Sequence, residues 1–111
     1  MGTHCMIGIK TGDVVMATYC HWDGYPSVVG RMLLQYYNDR PRTRLLVNGG
    51  SMSQLGPTFL TTYYRHQMDK DQPLPNGEMR FVPAERFSSA KELMEMKPYC
   101  EYFYVLDDEE Y

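Results

Sequence analysis

A chain of 111 residues with 11 basic and 14 acidic side chains, net charge −3, has the size of one domain, 1–111, with a modest core of its own. The acids gather at Asp107, Asp108, Glu109 and Glu110 while the basic residues scatter, which argues against a nucleic-acid-binding surface and falls short of a DNA mimic. Cys5, Cys20 and Cys100 form no Cys-x-x-Cys pair and no apolar run suits a signal peptide or membrane span, so reduced thiols in a cytosolic protein are expected.

In chain order, Cys5 to Ile9 and Val14 to Trp22 are extended apolar runs separated by Lys10-Thr11-Gly12-Asp13, the pattern of a β-hairpin. From Pro26 to Asn38 the residues Val28, Val29, Met32, Leu33, Tyr36 and Tyr37 recur at helical spacing and predict a helix packed on that hairpin. Gly30 inside it costs roughly 1 kcal/mol relative to alanine, which implies that a close helix–strand contact or a ligand excludes a side chain there. Pro41 to Asn48 predicts a short helix closed by Gly49-Gly50, and Thr58 to Tyr64 an edge strand. Gln67 to Pro83, with Pro73, Pro75 and Asn76-Gly77, predicts a long loop suited to a lid or an oligomer contact. Ser89-Ala90-Lys91-Glu92 fits a capping box for a helix that ends at Pro98, and Tyr99 to Leu106 predicts an aromatic strand. The expected class is α+β: a small antiparallel sheet, made of the N-terminal hairpin and the C-terminal strand, with two or three helices on one face.

The richest chemistry lies at Tyr19-Cys20-His21-Trp22-Asp23-Gly24-Tyr25-Pro26, where the second hairpin strand meets the first helix. Ten tyrosines in the chain add to the case for an interaction surface, since tyrosine joins a rigid stacking face to a hydroxyl. Trp22 and Tyr25 suit a sandwich around a planar group, Asp23 suits ribose hydroxyls, and Ser27 at the helix start with Arg31 one turn on suits phosphate. His21 completes this ligand-binding set, as a same-face neighbour of Asp23 if the strand continues. The plain alternative is that Trp22 and Tyr25 plug the end of the sheet, Asp23-Gly24 makes a turn and Arg31 is solvated. Cys20 and His21 invite a thiol-protease reading, yet adjacent side chains on a regular strand face opposite ways. His4, Cys5, Cys20, His21, Asp23, His66 and Cys100 lack the paired spacing of metal ligands, and Gly49-Gly50 has no following lysine to make a phosphate loop. No catalytic residue, metal or cofactor is assigned.

Cys20-His21-Trp22-Asp23-Gly24-Tyr25-Pro26-Ser27, with Val29-Gly30, Leu33-Leu34 and Tyr37-Asn38 after it, resembles a family of small, mostly uncharacterised proteins encoded by bacteriophages and prophages. The likeness runs from Ile7-Gly8 to Ser53-Gln54-Leu55-Gly56 and continues more loosely at Tyr102-Phe103-Tyr104-Val105, while residues 57 to 98 depart from it. The resemblance implies a phage accessory protein in the host cytoplasm and supplies no reaction. By analogy with phage proteins that counter bacterial immunity, the expected function is non-enzymatic anti-defence: capture of a small nucleotide-type immune signal, by a homo-oligomer that completes the pocket. The alternatives are direct inhibition of a host defence protein and a small nucleotide hydrolase using His21, Asp23 and Cys20.

Overall fold

The computed structural model describes residues 3–58, 62–64 and 83–107. Strands β1 (Cys5–Thr11) and β2 (Val14–Cys20) form the expected hairpin, in register from Cys5↔Cys20 to Thr11↔Val14 around a turn at Gly12-Asp13. The first five residues of β1 are all buried, the mark of a strand covered on both faces rather than of one with a wet side.

Beyond the hairpin the sheet is mixed, with six strands among the described residues. A short β3 (Met52–Gln54) joins the end of β2 in parallel, and β4 (Tyr63–Tyr64) joins β3 antiparallel at the sheet's edge. Strand β5 (Glu85–Phe87) pairs antiparallel with the start of β2, and β6 (Tyr102–Leu106) flanks β1. The α+β class expected from sequence is the observed one, and Tyr63–Tyr64 realise the expected edge strand where it is described. The antiparallel expectation needs correcting at the C-terminal strand: β6 runs parallel to β1, from Cys5↔Tyr102 to Ile9↔Leu106. The cause is local, because the amide of Glu101 donates to the carbonyl of His4 (2.9 Å) and so starts β6 beside the start of β1.

The helices also differ from expectation, since they cover both faces rather than one. A π-helical turn (Pro26–Gly30) leads into α1 (Arg31–Tyr36), and α2 (Arg40–Asn48) follows with Asp39 as its N-cap, accepting from the Arg42 amide at 2.8 Å. These pack Val29, Leu33, Leu46 and Val47 against Cys5, Ile7 and Cys20. On the other face α3 (Ala90–Met96) buries Leu93 against Met6, Val15, Ala17 and Phe87. Half of the predicted capping box is present: Ser89 accepts from the Glu92 amide at 3.1 Å, while the Glu92 carboxylate takes the hydroxyl of Ser88 rather than the Ser89 amide that the full box would use. Lys97, just past α3, is tied to Glu85 of β5 at 2.8 Å, which holds the Lys97 ammonium above its ordinary range. The segment expected as a long loop, Gln67 to Pro83, lies outside the described residues up to 82.

Candidate binding site at the strand-to-helix junction

Strand β2 stops at Cys20, but its backbone pairing does not stop there. The amides of His21 and Trp22 donate to the carbonyls of Met52 (3.1 Å) and Ser53 (2.8 Å), so β3 guides the chain out of the sheet. Asp23 then reverses it with φ +58, a left-handed conformation that aspartate tolerates better than most residues. At Gly24 the backbone touches the N-terminal segment: its amide donates to the Thr3 carbonyl at 2.7 Å. A Cβ there would sit 2.7 Å from that oxygen and 2.9 Å from the Cys5 Cβ, so only glycine fits. The carbonyl of Gly24 accepts from the Tyr104 hydroxyl at 2.8 Å. The Tyr104 ring in turn lies 3.2 Å from where a Cβ on Gly30 would stand. Gly30 is therefore small for the helix–strand contact anticipated from sequence.

On this fixed backbone the side chains of the site face two ways. Cys20 enters the core beside Cys5, its partner across the hairpin, with its Sγ 3.5 Å from the Trp22 carbonyl. All three cysteines are free and buried. The hydrogen bond between the two thiols and their burial push Cys5 far above the ordinary thiol range; as acceptor of that bond Cys20 moves the other way. His21 faces the opposite side of the sheet, so Cys20 and His21 are not placed as nucleophile and base.

His21 belongs to a chain of rings. Its imidazole stacks on His4 at 4.6 Å between centroids and shares a 2.8 Å hydrogen bond with the Tyr19 hydroxyl. His4 Nδ1 donates to the His21 carbonyl at 2.8 Å, which ties the N-terminal segment to the same spot. Tyr99 adds a tilted contact to Tyr19 at 5.9 Å. Trp22 sits at the outer end, edge-on to His21 at 4.7 Å, with 44% of its surface exposed. Its ring meets His21 and not Tyr25. Tyr25 is itself 38% exposed, and Ser27 and Arg31 are exposed further along. The Asp23 carboxylate lies beside Trp22 in sequence and accepts from the Gln54 side-chain amide at 3.4 Å.

The helix start is not the open anion cradle that Pro26-Ser27 suggested. The amides of Val28 and Gly30 both turn back onto the Tyr25 carbonyl, at 3.0 and 3.3 Å, closing a π turn rather than facing outward. Two contributors were not assigned to the site from sequence. Gln54 arrives from β3, 31 residues from Asp23. His4, weighed only as a metal ligand, reaches His21 because β1 pairs with β2. Tyr19, which opens the stretch singled out above, shares a strand face with His21 by its two-residue step. Among the described residues, no three His, Cys, Asp or Glu side chains gather as a metal site, and no helix is long and apolar enough to cross a membrane. No family model, curated protein or solved structure matches the chain.

Proposed function

We propose that this chain is a non-enzymatic phage accessory protein that captures a small nucleotide-type immune signal at the Trp22 junction, in the cytoplasm of the host. The observation that carries the reading is the mounting of Trp22: an exposed indole on a backbone hydrogen-bonded to Ser53 and braced by His21, with the Asp23–Gln54 pair next to it. A planar base needs a rigid stacking face, and a sugar or base edge needs an acceptor and an amide at that face's rim. The Cys20 to Ser27 motif that heads the phage resemblance meets the end of the region the resemblance covers, Ser53 to Gly56, through the Trp22 amide and the Ser53 carbonyl. Tyr25, Ser27 and Arg31 extend the surface outward, and a second copy of the chain supplies the opposite wall in a homo-oligomer.

A panel of cyclic dinucleotides and mononucleotides, incubated with the protein and recovered by heat denaturation, tests this reading. A ligand that co-purifies with the protein and returns chemically intact supports capture. An altered product makes the protein a hydrolase, and retention of none directs attention to a protein target. That second reading draws on one observation: Trp22 and Tyr25 are both exposed, and residues of these types anchor protein interfaces.

A further inference from the structure

At the far end of α1 the chain passes from Tyr36 through Asp39 into α2 and leaves a cleft of about 360 Å³, lined by Tyr36, Tyr37, Arg42, Leu45, Pro57 and Thr58. Its floor is fixed. Tyr37 is buried, and its hydroxyl donates to the Gly56 carbonyl at 2.6 Å and lies 3.2 Å from Thr62 Oγ1. Its walls are apolar and open, with Leu45 52% and Tyr36 38% exposed. One cation stands among the described lining residues: Arg42, whose Nε faces the Asp39 carboxylate at 3.4 Å and whose Nη1 donates to the Tyr36 carbonyl at 3.4 Å. These contacts orient the guanidinium and leave its Nη2 with no protein acceptor among the described residues. Arg40, at the start of α2, reaches the hairpin turn instead, where it donates to the Lys10 carbonyl and the Thr11 hydroxyl, so the cleft's recognition of an anion rests on Arg42.

We propose that this cleft is a second binding site, separate from the Trp22 junction, for a small aromatic acid: a flat apolar body carrying one carboxylate or phosphate. The volume suits a small molecule, and two tyrosine rings with Leu45 and Pro57 suit a flat apolar body. A planar guanidinium with a free edge is matched to carboxylate or phosphate and discriminates against an uncharged analogue. The site uses none of the junction residues, so it stands or falls independently of the capture reading.

The test is a titration of the full chain with 1-naphthoate, followed by amide shifts in two-dimensional NMR, beside the uncharged analogue 1-naphthalenemethanol. Saturable shifts are expected at Tyr36, Tyr37, Arg42, Leu45 and Thr58, with the alcohol weaker by about tenfold or more. Arg42→Gln brings naphthoate down to the level of the alcohol, Leu45→Asp weakens both in a protein that keeps its amide spectrum, and Trp22→Ala changes neither. Shifts centred on Trp22 and Tyr25, an Arg42→Gln variant with unchanged affinity, or no saturation by about 10 mM would each overturn the proposal.

Discussion

Gly24 carries the tightest constraint at the junction, because any side chain there collides with the Thr3 carbonyl and Cys5. Backbone and core atoms on both sides leave little room to relax, so Gly24→Ala is expected to cost about 2–3 kcal/mol in chemical denaturation. Gly30 faces a softer neighbour, the Tyr104 ring edge, and Gly30→Leu is expected to cost about 1–3 kcal/mol by overpacking. An unchanged melting temperature in either variant would refute the close approach. Thr18 offers the opposite sign. Its hydroxyl is buried with no hydrogen-bond partner among the described residues, so the isosteric Thr18→Val is expected to stabilise by about 1 kcal/mol, read from the same denaturation curves. Only part of this was open to the sequence. Gly30 stood out as a glycine inside an apolar helical pattern, whereas nothing about Gly24 announced that Thr3 would lie against it.

At the scale of elements, the Ser89 cap and the hairpin were legible because their signals are local, whereas Asp39 was not read as the cap ahead of Pro41. Asp39 and Ser89 both accept from the amide three residues on, and Ser89→Ala is expected to cost about 1 kcal/mol, measurable as a lowered melting temperature. The hairpin register even held an unread consequence. Once Gly12-Asp13 is the turn, partners sum to twenty-five and Cys5 must oppose Cys20. What stayed hidden depended on distant pairing. The five-residue apolar run of Cys5 to Ile9 signals burial on both faces, yet it cannot say that α3 provides the second cover or that β6 enters parallel. The π turn at Pro26–Gly30 was likewise invisible, because apolar spacing does not distinguish it from a regular helix of the same length.

For the whole molecule, burial of acidic groups predicts weakness in alkali. Burial pushes the Cys100 thiol from 9.0 up to about 11, against a smaller opposing pull from Lys97, and burial raises Tyr37 and Tyr104 as well. A group whose value is raised by folding stabilises fully below its unfolded value and loses that contribution as pH climbs through the folded one. The melting temperature is therefore expected to fall between pH 9 and about 11, and Cys100→Ala to flatten that fall. A profile identical in the variant would show that Cys100 titrates as an unburied thiol. The central claim, that the junction is a binding surface rather than a plug for the end of the sheet, has a built-in reporter. The chain contains one tryptophan, Trp22. Titrating the protein with cyclic dinucleotides and mononucleotides while recording its tryptophan emission reads that ring directly. Saturable quenching by at least one of them is expected in the native chain, and calorimetry, which needs no indole, is expected to show Trp22→Ala binding that nucleotide about ten- to a hundredfold more weakly at an unchanged melting temperature. Emission indifferent to every nucleotide up to about 1 mM, with stability lost in Trp22→Ala, would contradict that claim.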